Sequence, residues 1–209
     1  GQEGAHVAVW DIDTKAAENV AAGIRNGGGQ AVAITCDITD YDTVGAAVAE
    51  TESQLGLVDV LVNNAGWDVF RPFLKTDPEL WEQIIAINLR GVLHTHHAVL
   101  PGMCERGRGR IVNVASDAAR VGSSGESVYA ACKAGIVGLS KTLAREHARQ
   151  RARASERARA CARASADVRV RGAAPGGFAV TKREDRNTGF GTLTVVAPTA
   201  TVRFLVSFT

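Results

Sequence analysis

The sequence of 209 residues predicts an α/β fold, a doubly wound and mainly parallel sheet between two helical layers, incomplete at both ends. Three observations carry that expectation. Short runs rich in Val and Ile alternate with stretches of helical periodicity across residues 6–148. Between the first two runs, the helix over 15–26 carries an apolar stripe that faces a core. Two of the runs end in polar motifs, Asn63-Asn64-Ala65-Gly66 and Ser116, at the strand ends where open parallel sheets meet their ligands. With 45% hydrophobic residues, the chain can bury one sizeable core. No apolar run is long enough to span a membrane and no signal peptide opens the chain, so a cytoplasmic protein is expected.

Taken in order, residues 6–10 predict a strand that ends in Asp11-Ile12-Asp13. A helix over 15–26 follows, with Ala16, Val20 and Ile24 as its buried stripe at i, i+4 and i+8. Gly27-Gly28-Gly29 reads as a helix C-cap and loop. Residues 30–35 predict the next strand, Cys36-Asp37 its end, and 39–55 a second helix, which Asp37 could cap. The strand over 58–62 leads into the Asn-Asn-Ala-Gly motif, and a long helix interrupted by Gly91 spans 78–103. In it, His94 and His97 share a face; without a third ligand they read as packed or solvent-facing histidines rather than a zinc site. A strand over 111–115 reaches Ser116, and a helix over 129–148 buries Ile136, Leu139, Leu143 and Ala144.

The chemistry concentrates at Tyr129 and Lys133. Four residues apart on a helix, their side chains lie on one face. A phenol titrates near 10, so only about 0.1% is ionised at neutral pH. Lowering that value by ~3 units takes about 4 kcal/mol of differential interaction, which a neighbouring cation can contribute. Such a pair suits proton exchange during a carbonyl/alcohol interconversion, and Ser116 could hold the reacting oxygen against the phenol. Alone, a Tyr-x-x-x-Lys spacing equally describes an amphipathic surface.

Together with Asn63-Asn64-Ala65-Gly66 and with Asn88 in Ile87-Asn88-Leu89, however, these residues resemble the short-chain dehydrogenase/reductase family, with four motifs in register over residues 4–149. The resemblance implies a Rossmann-like fold and a reversible, NAD-dependent oxidation of a secondary alcohol. It implies Asn88, Ser116, Tyr129 and Lys133 as catalytic residues, Asn88 positioning a water that links Lys133 to solvent. It implies Asp11, Asp37, Asn64, Ala65, Gly66, Tyr129 and Lys133 as cofactor contacts, and Asn63 as a tie between strands. Asp11 would accept hydrogen bonds from ribose hydroxyls and repel a 2′-phosphate, so NAD is expected ahead of NADP, with Lys15 tempering the preference. Asp37 would meet the adenine amino group. Longer stretches, Asn63-Asn64-Ala65-Gly66-Trp67-Asp68 and residues 96–103 and 116–126, resemble members that oxidise a ring alcohol beside a CoA thioester. The expected substrate is therefore a 2-hydroxycycloalkane-carboxyl-CoA or another 3-hydroxyacyl thioester, in a homo-oligomer (dimer or tetramer). The alternatives are reduction of a 3-oxoacyl thioester on acyl carrier protein and an inactive scaffold of the same fold.

Two departures accompany the resemblance. The family places a strand and a Thr-Gly-x-x-x-Gly-x-Gly turn before residue 6, and nothing here matches that phosphate-binding turn. The missing strand belongs between the 6–10 and 58–62 strands. Its loss predicts two unpaired edges, weak NAD binding and poor solubility. After Arg149 the likeness stops in an Ala/Arg-rich tail: residues 1–144 carry 11 basic and 17 acidic residues, residues 145–209 carry 13 and 5. The tail reads either as a basic segment for nucleic acid or acidic lipid or as the product of a shifted reading frame in GC-rich DNA. No aromatic residues interleave the arginines, which argues against a specific nucleic-acid role. Residues 192–209 alternate enough to form strands. Four scattered cysteines suggest neither zinc site nor disulfide framework.

Overall fold

The computed structural model describes residues 4–151, 167–168, 179–184, 191–196 and 203–207. Its elements are β1 (His6–Asp11), α1 (Thr14–Asn26), β2 (Gln30–Thr35), α2 (Tyr41–Leu55), β3 (Val60–Asn63), α3 (Pro78–Ile85), α4 (Gly91–Arg106), β4 (Arg110–Asn113), α5 (Ala118–Val121), α6 (Ser127–Arg151), β5 (Asp167–Val168), β6 (Ala179–Glu184), β7 (Gly191–Val196) and β8 (Arg203–Ser207). The main sheet has the order β2-β1-β8-β3-β4-β5, all its pairs parallel, while β6 and β7 form a separate antiparallel pair.

Strand alternation distributes the core over both sheet faces. Val7, Val9, Val60 and Val62 pack with Ala17 and Ala21 of α1 on one face. Ala8, Trp10 and Leu61 pack with Val44 and Ala47 of α2 and Val99, Leu100 and Met103 of α4 on the other. Of the expected α1 stripe, Ile24 packs against the core and Ala16 is half-buried, but Val20 is 42% exposed and Ala17 and Ala21 are the fully buried pair. The small methyl groups, not the larger Val20, face the strands, where a helix must approach its sheet closely. On α6, Ile136 is buried as expected and Leu139, Leu143 and Ala144 are half-buried, but Cys132, Lys133 and Ser140 complete its inner face.

Local signals set the element ends. Asp13 caps α1 by accepting from the Lys15 and Ala16 N–H groups, and Gly27 closes it, followed by Gly28 at φ 82°. Asp40 caps α2, so the capping alternative for Asp37 does not hold. Between α3 and α4 the helix loosens into a π-helical turn, Ala86–Arg90. There the Asn88 Nδ2 donates to the Ile84 carbonyl at 3.0 Å, the kind of side-chain insertion that bends a helix. Gly91 is needed for a close approach, since a Cβ there would come within 2.6 Å of Ile38 Cδ1.

The largest correction concerns the vacant strand position. β8, from the far end of the chain, lies between β1 and β3 and pairs with both, His6↔Arg203 through Trp10↔Ser207 and Val60↔Phe204 through Asn63↔Ser207. The two inner edges are paired, so the expectation of exposed edges falls, together with the physical ground for poor solubility. The expected strands of residues 192–209 are present as β7 and β8. Most of the Ala/Arg-rich stretch lies outside the described residues. Cys36 and Cys132 are free and buried; Cys104 is disulfide-bonded, against the expectation for the set. No helix among the described residues is long and apolar enough to cross a membrane.

Candidate active site

Parallel strands place the carboxyl ends of β1, β3 and β4 on one side of the sheet, and the expected site residues gather there. Behind them lies a buried polar network. Asn63 Nδ2 donates to Asn113 Oδ1 at 2.8 Å, Thr95 Oγ1 to Asn63 Oδ1 at 2.8 Å, and Asn113 Nδ2 to Ser140 Oγ at 2.9 Å. His96 sits among them, Nδ1 2.7 Å from the Val92 carbonyl and Nε2 3.3 Å from Asn113 Nδ2. These contacts suit the tautomer with the proton on Nδ1, and burial holds the ring's pKa below the usual histidine range. The strand-tying role implied for Asn63 has a direct counterpart in its bond to β4. His96 is the member that sequence reasoning missed. Its position one turn after Val92 on an apolar face marks it as a core residue.

In front of the network, Lys133 is only 3% exposed; its Nζ donates to the Val114 carbonyl at 3.1 Å and lies 5.4 Å from the Tyr129 ring centroid. Burial makes an ammonium costly unless it is bonded, so this cation is held at one place beside the phenol. Asn88 is fully buried, its Nδ2 donating to the Trp67 carbonyl at 2.6 Å and its Oδ1 accepting from the Trp67 N–H at 3.3 Å. A Cβ on Gly66 would fall 3.0 Å from Asn88 Oδ1 and 3.3 Å from Lys133 Nζ. Gly66 therefore leaves open the small space on which Asn88 and Lys133 converge. Ser116 is half-buried two residues beyond Val114, its Oγ accepting from the Ala118 N–H at 3.2 Å.

Across the sheet, Asp11 ends β1 with 8% exposure, its Oδ1 accepting from the Asp13 N–H at 2.9 Å. Asp37 follows the end of β2, and its Oδ1 accepts from the N–H and the hydroxyl of Thr39 at 2.8 and 2.7 Å. The Cys36 N–H donates to the Asp11 carbonyl at 3.0 Å, which brings the two acidic positions to adjacent strand ends. Burial of the Cys36 thiol pushes its pKa up to about 11, so it stays protonated and serves as core. Ala65 is buried and Asn64 half-buried at the β3 end. His94 and His97 surround Tyr41 instead of converging: His94 Nδ1 lies 2.9 Å from the Ile38 carbonyl and His97 Nδ1 2.7 Å from the Tyr41 hydroxyl. Among the described residues no group of three His, Cys, Asp or Glu could hold a metal ion.

The chain is similar in sequence and fold to several known proteins. The acetoacetyl-CoA reductase of Rhizobium meliloti is 44% identical over 112 residues, 54% of this chain and 46% of the relative. A 3-oxoacyl-[acyl-carrier-protein] reductase of Staphylococcus aureus is 38% identical over 148 residues, 70% of this chain and 60% of the relative. The crystal structure of NAD+-bound xylitol dehydrogenase superposes with a TM-score of 0.67 at 32% identity, covering 69% of this chain and 56% of that one. The chain thus spans about half to three-fifths of the length of the relatives it matches. The short chain dehydrogenase family matches residues 1–189, and the chain belongs to that family.

Proposed function

We propose that the chain carries the catalytic half of an NAD-dependent oxidoreductase that interconverts a secondary alcohol and a ketone. The observation that carries this is the Tyr129–Lys133 pair, with the buried ammonium held 5.4 Å from the phenol ring beside Asn88 and Gly66. In the oxidative direction Tyr129 takes the hydroxyl proton. Lys133, fixed by the Val114 carbonyl, favours the phenolate. Ser116 holds the reacting oxygen, and Asn88 serves the path by which the proton leaves. The space beside Gly66 fits the nicotinamide ribose, with Asn64 and Ala65 along the same strand end and Tyr129 and Lys133 opposite. Asp11 and Asp37 fit the adenosine, and Asp11 favours NAD over NADP. A glycine-rich phosphate turn is not in the sequence. The bound dinucleotide would supply hydride transfer.

The proposed substrate is a 3-hydroxyacyl thioester, most specifically a 2-hydroxycycloalkane-carboxyl-CoA, on the likeness to 2-hydroxycyclohexanecarboxyl-CoA dehydrogenase. The reductases of acetoacetyl-CoA and of 3-oxoacyl carrier protein among the relatives support the thioester class. They also keep 3-oxoacyl carrier-protein reduction as the second reading. A homo-oligomer in the cytoplasm belongs to the same proposal. NAD titration separates an enzyme from an inactive scaffold, and a panel of CoA and carrier-protein thioesters separates the two reactions. In the full-length protein, Tyr129→Phe removes the transferable proton but keeps the ring, so turnover should fall by roughly 10²–10⁴ with NAD binding nearly unchanged. A Phe variant that keeps most of its turnover overturns the assignment.

Residues 1–149 are proposed as the cofactor-binding unit and 150–209 as a tail read from a shifted frame; the family match that runs on to residue 189 and the place of β8 in the sheet weigh against a wholly separate origin. Resequencing the locus tests this. If the neighbouring frame beyond Arg149 lacks a hydrophobic strand followed by Pro-Gly, the shifted-frame origin is wrong.

A further inference from the structure

Asp68 lies on the loop after Gly66, and both of its carboxyl oxygens are buried without a well-formed hydrogen bond; the Val69 N–H and Glu126 are the polar groups that act on them. A buried carboxylate in that condition is strongly disfavoured unless something supplies a hydrogen. Another carboxyl shares its surroundings: Glu126 lines the same small cavity, whose apolar wall is made by Val69, Phe73, Ile84 and Val128 and whose polar wall includes Arg71, Thr76 and Ser127. Two ionised carboxylates offer only acceptors to each other, whereas one proton between them makes a short, charge-assisted bond.

The pair joins two segments that the site depends on. Trp67, the neighbour of Asp68, has its N–H and carbonyl bonded to Asn88. Glu126 opens α6, its carbonyl accepting from the Ala130 N–H at 2.8 Å, and Tyr129 follows three residues later. The Arg71 N–H donates to the Gly125 carbonyl at 2.9 Å, a second tie between the same segments. We propose that Asp68 and Glu126 share one proton, and that this acid–carboxylate bond latches the 67–71 loop onto the first turn of α6, keeping Asn88 and Tyr129 in one frame.

Burial, above all, pushes the Asp68 carboxyl above the usual carboxylate range; the Val69 N–H opposes this, and the charge and hydrogen bond of Glu126 add to it. The raised folded value fixes the sign. The latch is closed in acid and is lost as pH rises through that value, when both groups ionise and repel. The other charged or titratable groups around it are Arg71 on the cavity wall and, from α6, Lys133 and the buried Cys132 thiol, which lies in the field of both Lys133 and Asp68. The Phe73, Thr76 and Ile84 side of the cavity contributes no ionisable group. Asp68 and Glu126 act here as positioning residues and take no part in the chemical step.

The test is a carboxyl-carbon NMR titration of the whole chain, combined with amide exchange of residues 67–71 corrected for intrinsic rates. The expected result is a coupled, two-step titration with one proton retained above the ordinary range. Loop protection should fall about tenfold from mildly acidic to mildly alkaline pH. In Asp68→Asn, whose amide N–H can donate to Glu126 at every pH, protection should stay level, and Glu126→Gln should match it from the other side. Independent titration of both carboxyls in the ordinary range overturns the proposal, as does an Asn variant with the wild-type pH slope. If neither variant folds, the wild-type titration alone decides. No readout involves turnover, so the result is separate from the fate of the proposed reaction.

Discussion

On the β3–β4 side of the sheet, polar side chains are bonded across the fold: Asn63 to Asn113, Thr95 to Asn63, Asn113 to Ser140 and His96, between residues 17 to 50 apart in sequence. On the β1–β2 side, Asp11 and Asp37 each bond a group only two residues away. The first arrangement exists only when β3, β4, α4 and α6 are all in place, and it returns the favour by fixing the strand ends that carry Gly66 and Ser116. The second forms within a turn and asks little of the rest of the molecule. The proposed proton transfer needs its groups positioned closely, while the proposed ribose and adenine recognition tolerates a more adjustable acid. The difference teaches where mutations should be felt as lost stability and where as altered recognition.

Asn113→Ala is the strongest way to break the contrast. It strands the Asn63 amide, the Ser140 hydroxyl and the His96 ring in a buried site, so a loss of ~2–4 kcal/mol is expected. Urea unfolding at constant slope measures it, and a loss below about 1 kcal/mol would mean the network merely decorates the core. The next effect is a pH dependence from His96. Its folded pKa is lowered by burial, so the unfolded chain binds the extra proton first. Stability is then full above the unfolded value near 6.5 and falls by up to about 1.4 kcal/mol per pH unit between that value and the lowered folded one. Unfolding midpoints across this range should show the slope in the wild type and a shallower one in His96→Gln. Smallest in stability is Asp11→Asn, which should change it by no more than ~1 kcal/mol while lowering the preference for NAD over NADP by roughly tenfold. Paired cofactor titrations and melts check this; a large destabilisation would place Asp11 with the network.

How far the molecule was legible follows the same division. β2 runs over the expected residues 30–35, and the Gly27–Gly29 stretch ends α1 as a cap because both depend on neighbouring residues alone. The α1 stripe was displaced because helical period defines a set of faces, and the sheet selects among them by how closely each lets the helix approach. The π-helical turn at Asn88 is a local event, made by one side chain bonding Ile84 within the same helix. His96 showed in the sequence only its place one turn after Val92, and the Asp68–Glu126 pair carried no spacing signal, because their other partners are set by elements brought together from distant parts of the chain.

By itself, the sequence determined the family, the alternation of strands and helices, and the placing of Tyr129 and Lys133 on one helical face, all consequences of short-range geometry and a few strand-end motifs. The tertiary structure alone decided which segment lies between β1 and β3. The run Arg203–Ser207 carries a strand pattern but nothing that names its neighbours, and it fills the position by pairing with residues about two hundred positions away at β1. Backbone groups in the middle of a sheet must be paired, and any compatible strand within reach can satisfy them.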